Sequence, residues 1–342
     1  MDIVDLMLIN ASQIITCASP GGPKRGKDMR VVDAIENGAV AIHEGRILDV
    51  GSTPDLLRLY TGIRTLDACG RAVCPGFVDP HTHAVFGGDR TAEFELRIKG
   101  ASYMEIMAAG GGIVNTVLHT RQSSEESLLA KASSRLDDML ELGTTTVEIK
   151  TGYGLDTATE LKMLRVIEGL ATEHHCDVVP TFLGAHTVPE EYGGDSDAYT
   201  KFVIQEMMPE VVSWYRESSF AQESIPIFVD VFCEDHAFNV EQSRSVLNAG
   251  MESGFLSKIH VDQFNDLGGV EMAIELGVIS ADHLDATGQA GLDRIAQSGT
   301  IAVPLPAVNF NLGSYSFADA RSMLDAGAAV ALATDINPGS AP

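Results

Sequence analysis

The chain has 342 residues, 45% of them hydrophobic and 21% charged, which suits one barrel-sized globular domain with a smaller one attached rather than a disordered or membrane chain. Lysine plus arginine number 23 against 48 acidic residues, a net charge of −25, so the long-range field repels nucleic-acid phosphates and anionic lipid. The same field repels an anionic small molecule, and such a substrate would need a local cation inside its site.

Met1 to Thr16 carries Asp2 and Asp5 before its apolar stretch, unlike a secretory signal, and no run in the chain reaches about 18 apolar residues. Cys17, Cys69, Cys74, Cys176 and Cys233 are scattered and never form C-x-x-C, which argues against a disulfide framework or a thiolate zinc site. A cytoplasmic location is expected. Gly21 to Gly26 reads as a loop, and Ala39 to Ile42 and Arg46 to Val50 flank a Glu44-Gly45 turn as a hairpin. Residues 1–70 are assigned to the N-terminal part of a small β-sandwich domain.

From Val73 onward strand, loop and helix alternate. Expected strands are Val73 to Val78, Thr145 to Ile149, Asp177 to Phe182, Ile227 to Phe232, Lys258 to Val261, Gly277 to Ala281, Thr300 to Val303 and Val330 to Ala333. Leu128, Ala132, Leu136 and Leu140 form an i, i+4 apolar row suited to packing against a sheet. Eight such strands predict an α/β fold, a (β/α)8 TIM-type barrel over residues 71–342, with catalytic groups at strand C-terminal ends. An open doubly wound sheet is the alternative, but no G-x-G-x-x-G follows a first strand. Gly110, Gly111 and Gly112 lack a following Gly-Lys-Ser/Thr and are expected to be a flexible loop over the barrel mouth rather than a phosphate cradle. Because Pro342 comes only seven residues after Asp335, a barrel seam and a sandwich edge are expected to be left uncovered.

The strongest local signal is Pro75-Gly76-Phe77-Val78-Asp79-Pro80-His81-Thr82-His83. Side chains at i and i+2 of a strand share a face, so His81 and His83 can offer two imidazoles to one cation. Other strand ends supply His260, with Asp262 and Gln263 after it, then Asp282 and His283, and finally Asp335. Three imidazoles and one carboxylate suit Zn²⁺ or Fe²⁺ and leave a position for water. Each has a bland alternative: His260 a satisfied core histidine, Asp335 a helix N-cap, His283 a hydrogen-bonded structural residue. Convergence of all four on one rim is the more economical account.

Together with Thr146 to Leu155, Thr181 to Val188, His260 to Gln263 and Ala333 to Ser340, these residues resemble the amidohydrolase superfamily and, within it, the imidazolonepropionase family of histidine breakdown. The resemblance runs through nearly the whole chain, and the Gly-Tyr-Gly and Asn-Pro-Gly-Ser segments carry its specificity. It implies metal ligands at His81, His83, His260 and Asp335, and one divalent ion, Zn²⁺ or Fe²⁺. It implies substrate contacts at Arg90, Tyr153, His186, Gln263, Asn337, Gly339 and Ser340. The implied reaction opens the ring amide of 4-imidazolone-5-propanoate to N-formimino-L-glutamate. Metal-activated water attacks the ring carbonyl, and Asp335 and His283 share the proton transfer. Arg90 would hold the propionate, supplying the local cation that the acidic surface demands. Its bland alternative is a pair with Glu93 or Glu95. Relatives also pair as homodimers.

One position departs from the pattern. Gln263 stands where some relatives carry Glu, and an amide cannot act as a base. Lys150 as a bridging carbamate and Glu148 as a ligand are weaker readings than a single-metal site. Cys233, Glu234, Asp235 and His236 are expected to be a solvated loop, and His174 and His175 to be surface residues. The competing functions are another cyclic amidohydrolase or deaminase, separable by substrate assays, and a non-catalytic binding barrel, separable by metal analysis.

Overall fold

Glu44 and Gly45, with φ of 51° and 72°, form the tight left-handed turn that a two-residue hairpin needs. They join β2 (Ala34–His43) to β3 (Arg46–Ser52) in the computed structural model, which describes residues 1–19, 21–100 and 111–341. β1 (Asp2–Ile15) pairs antiparallel with β2 and parallel with both β4 (Tyr60–Asp67) and β5 (Ala72–Val73). The result is a five-stranded mixed sheet in the order β3-β2-β1-β4, with β5 along the far end of β1. Strand alternation sends Ala39 and Ala41 into a cluster with Val4, Met7 and Leu56, and Val40 into another with Ala11, Ile14 and Ala68. Between β3 and β4 the short helix Thr53–Leu59 is capped by Ser52, whose side chain accepts from Asp55 N–H.

The chain divides into two units, Met1–Gly76 and Phe77–Pro342. The expected strand Val73 to Val78 is split at this boundary, because Cys74-Pro75-Gly76 interrupts it: Pro75 has no N–H for a ladder. Val73 ends β5, and β6 (Phe77–Thr82) begins the second unit.

Seven parallel strands follow one another around that unit: β6, β7 (Thr144–Lys150), β8 (Asp177–Ala185), β9 (Phe228–Cys233), β10 (Leu256–Val261), β11 (Ser280–His283) and β12 (Ile301–Val303). Gly277, expected to open a strand, instead ends the helix Gly269–Leu276 in a left-handed conformation, so β11 starts three residues later. The apolar row on helix Glu125–Glu141 packs inward as expected, with Leu128, Ala132 and Leu136 fully buried.

The eighth place is taken by an extended segment rather than by the expected regular strand Val330 to Ala333. Its start bonds to β12, with Ala302 N–H donating to Ala329 O at 3.0 Å and Ala331 N–H to Ala302 O at 2.9 Å. Its end bonds to β6 and the residue after it, with Asp335 N–H donating to His81 O at 3.0 Å and His83 N–H to Ile336 O at 2.9 Å. Between them Thr334 N–H donates to the Asp79 side chain at 3.2 Å, a carboxylate doing what a backbone carbonyl would do in a ladder. The barrel is thus nearly closed by hydrogen bonds, while the outer face of this seam is bare, with Leu332 63% and Phe77 and Val78 each 60% exposed. In the five-stranded sheet the outer strands β3 and β4 have one strand neighbour each among the described residues.

Candidate metal centre

β6 ends with His81 and Thr82 buried, and His83 follows in the same extended course, so both imidazoles enter the interior. β10 brings His260, β11 brings His283, and the closing segment brings Asp335, each 5% exposed or less. The His83 Nε2 atom lies 3.3 Å from Asp335 Oδ1 and 3.4 Å from His260 Nε2, and His81 Nε2 lies 3.5 Å from the same Asp335 oxygen. Donors about 2.0–2.1 Å from a tetrahedral cation stand about 3.3 Å apart, so this spacing fits one ion. His81 Nε2 and Asp335 Oδ1 are fully buried with no hydrogen-bond partner among the described residues, a costly arrangement that a cation would relieve. His283 forms a second close group with His81 and Asp335.

A buried ionic layer beneath these donors sets their orientation. Asp282 accepts from His81 Nδ1 at 2.7 Å, and Asp230 Oδ2 lies 3.0 Å from His260 Nδ1 while its Oδ1 accepts the His260 N–H at 3.2 Å. A carboxylate can only accept, so His81 carries its proton on Nδ1 and presents a bare Nε2, the usual arrangement behind a metal-ligating histidine. Lys150 Nζ is 2.8 Å from Asp230 and 2.9 Å from Glu148, and Lys258 lies 3.7 Å from Asp282. Burial pulls the Lys150 ammonium down, but Asp230, Glu148 and Asp282 more than reverse this and hold its pKa above the ordinary value. Lys150 and Glu148 are thus ion-pair partners within this layer. Burial pushes His81, His83 and His283 well below the usual imidazole range, which keeps them neutral, and pushes the Asp335 carboxyl well up.

A cavity of about 650 Å³ opens above the donors. It is lined by Arg90, Tyr153, His186, Gln263, Asn337, Gly339 and Ser340 together with His83, His260, His283 and Asp335. All of the sequence-derived site residues except His81 thus face one space, and His81 lies beneath it. The Arg90 Nε donates to Thr116 Oγ1 at 2.9 Å and stands 3.9 Å from Glu93, while Glu95 turns to Lys99 at 3.7 Å. A Cβ on Gly339 would overlap the Arg90 guanidinium, so glycine there permits the approach. Asn337 ties its own turn together: Gly339 N–H and Ser340 N–H donate to its Oδ1 at 2.8 and 2.9 Å.

His186 stacks on His83 with 4.9 Å between ring centroids, and burial, then His260, lowers its pKa to about 3. Its Nδ1–H donates to Gly152 O at 3.0 Å, so Nε2 is the proton-free nitrogen. Asp335 is not a helix N-cap, and His260 is held by Asp230 within the ligand cluster.

Two expectations change. Glu234 is buried rather than solvated: it accepts from Phe264 N–H at 2.9 Å and Asn265 Nδ2 at 2.8 Å and so holds the loop after β10. Its neighbours Asp235 and His236 are exposed, but they line the same cavity. Gly110 lies outside the described residues, whereas Gly112 caps the helix Ile113–Gln122 with φ 78° and its N–H reaches Glu93 at 2.8 Å. Sequence reasoning missed Asp230 and Asp282 as partners. The available signal was charge inside apolar strands, as in Val229-Asp230-Val231, since a buried carboxylate must be paired.

No family model matches the chain. An imidazolonepropionase from Chloroflexus aggregans is 52% identical over 342 residues, covering all of this chain and 80% of that protein. One from Herpetosiphon aurantiacus is 48% identical over 100% of this chain and 79% of its own length. This chain belongs to the imidazolonepropionase family. Solved structures related to this family member at 15% identity show its fold alone. A triazine hydrolase variant has a TM-score of 0.70 over 98% of this chain and 72% of its own. A zinc-bound adenosine deaminase from Xanthomonas campestris has a TM-score of 0.64 over 99% and 71%. Among the described residues no helix is long and apolar enough to cross a membrane.

Proposed function

We propose that this protein hydrolyses the ring amide of 4-imidazolone-5-propanoate to N-formimino-L-glutamate, with His81, His83, His260 and Asp335 holding one divalent cation. The observation that carries the reading is a buried cluster of four donor side chains, linked by contacts of 3.3–3.5 Å, at a cavity that Arg90 also lines. When bound, a divalent cation supplies Lewis acidity toward water and toward a carbonyl. The ligand set accepts zinc or iron, and both belong to the proposal.

The protein's own groups then divide the work. Arg90 grips the propionate tail with its guanidinium fork, which also overcomes the repulsive surface field. Tyr153 and His186 border the ring, and the bare Nε2 of His186 is an acceptor suited to a ring N–H. Water oxygen bonds to the ring carbonyl carbon. Asp335 takes the water proton and delivers it to the departing ring nitrogen as the C–N bond breaks, with His283 beside it polarising the carbonyl or sharing the proton. Gln263 acts only by hydrogen bonding, since its amide has no basic site. Asn337, Gly339 and Ser340 hold the product's carboxylate end.

Steady-state assays with imidazolone propionate, guanine and hydantoin, run beside metal analysis by plasma emission, test the proposal. The expected result is turnover of the first alone, with metal near one per chain. Turnover of guanine instead, or an active protein free of metal, overturns it.

A further inference from the structure

Glu160 is fully buried on helix Thr157–Glu173, beside Met163, Leu164 and Ile167, where an apolar side chain would serve the core better. It is not the helix cap, because Asp156 takes the Thr159 N–H at 2.8 Å. Its carboxylate instead collects the backbone of the Gly152-Tyr153-Gly154-Leu155 turn. Gly152 N–H reaches both oxygens, at 3.2 and 3.1 Å, and Gly154 and Leu155 N–H donate to Oε1 at 2.8 and 2.9 Å. Positive φ at Gly152 (101°) and Leu155 (57°) turns these donors inward, making a backbone anion nest whose anion is internal.

The turn's carbonyls are also assigned. Gly154 O accepts from Arg121 Nε at 2.7 Å, Leu155 O from the Tyr199 hydroxyl at 3.3 Å, and Gly152 O from His186 Nδ1 at 3.0 Å. The two glycines admit no substitute. A Cβ on Gly152 would lie 2.8 Å from His186 Nδ1 and 2.9 Å from Leu183 O, and one on Gly154 2.7 Å from Glu160 N.

We infer that Glu160 is a positioning residue for substrate recognition: by anchoring this turn it sets the Tyr153 ring and aims the Gly152 carbonyl that holds His186 in its Nδ1–H tautomer. The inference rests on the proposed reading that Tyr153 and His186 contact the substrate. Glu160 touches neither substrate nor metal ligand and acts entirely through the turn.

The test uses the metal-loaded enzyme and Glu160→Gln, with Glu160→Asp as the variant that keeps charge but loses reach. Gln sets an amide NH2 against the Gly152 N–H in place of an accepting oxygen, and Asp draws the acceptors back from the turn, so KM for imidazolone propionate should rise about tenfold with a smaller change in kcat and unchanged metal content. The ¹⁵N pattern of His186 should move away from a pure Nδ1–H tautomer in the same variants. Unchanged KM together with an unchanged His186 pattern overturns the inference. If neither variant folds, the wild-type enzyme decides: slow amide exchange at Gly152, Gly154 and Leu155 with His186 as Nδ1–H supports it, and fast exchange or an Nε2–H tautomer refutes it. Failure of the wild type to turn over imidazolone propionate would instead strike the proposed function, leaving the NMR results to judge the anchoring alone.

Discussion

Asp335 and His283 adopt φ of 52° and 81°, a left-handed region that side chains other than glycine occupy only when their surroundings insist. Both sit where a barrel strand or its substitute ends, and the conformation turns each side chain toward the histidine cluster. A change at Asp335 should therefore report on the ion more than on the fold. Asp335→Asn keeps shape but removes the anionic oxygen, and plasma emission should find metal occupancy well below that of the wild type while circular dichroism is preserved. Arg90 makes a separate case. Arg90→Ala should lower kcat/KM for the propionate substrate by about 1.5–3 kcal/mol, the range for a hydrogen bond to a charged group, with metal retained. Gly339→Ala should give a weaker version of the same defect, because the new methyl pushes the guanidinium aside. Equal losses of metal in all three variants would contradict this separation of roles.

At the scale of the strand, the interior of the barrel is an ionic layer as much as an apolar one. β7 contributes Glu148 and Lys150, β9 Asp230, β10 Lys258 and β11 Asp282, and each is buried. These residues were visible in the sequence as charges within otherwise apolar strands, but most of their partners were not, because apart from Glu148 and Lys150 on one strand the pairing runs across strands more than 20 residues apart. Lys150 joins two carboxylates at 2.8 and 2.9 Å. Removing one partner of a buried pair leaves the others uncompensated, so Lys150→Met should cost about 3–5 kcal/mol in urea unfolding. A loss near zero would mean that water or rearrangement replaces the ammonium. The helices show the opposite case: the row Leu128, Ala132, Leu136 is legible because period 3.6 is a local property.

For the whole chain, the proposed metal ligands come from the first barrel strand and the residue after it, from the fifth strand, and from the segment that bridges the seam, so an ion there would link parts of the fold that no short stretch of backbone connects. Binding to the folded state alone stabilises by mass action, about 2.7 kcal/mol when free metal is one hundred times Kd. Chelation should therefore lower Tm as well as abolish turnover, and zinc or iron addition should restore both. The net charge of −25 makes a further statement at this scale. Salt screens the long-range repulsion of an anionic substrate more strongly than the short, half-buried grip of Arg90, so KM should fall as ionic strength rises from low values toward about 0.15 M. A KM that rises steadily over that range would place the dominant charge effect at the local contact.

Local chemistry, read from the sequence alone, was enough to determine the alternation of strand and helix, the hairpin turn at Glu44-Gly45, the inward row on helix Glu125–Glu141 and the histidine pair that shares a strand face. These follow from periods of two and 3.6 residues and from the freedom of glycine, all properties of neighbouring residues. Tertiary structure alone decided that Val330 to Ala333 would form a seam in place of a regular strand, because the Asp79 carboxylate, more than 250 residues away in sequence, takes the place of a backbone partner at Thr334. It also decided that Glu160 faces a loop rather than solvent, and that Asp230 and Asp282 stand behind His260 and His81. The Asp79, Asp230 and Asp282 contacts join distant residues, and the free energy that selects them exists only once the barrel has brought them together; Glu160 reaches only five to eight residues back, but its turn takes shape against Arg121, His186 and Tyr199.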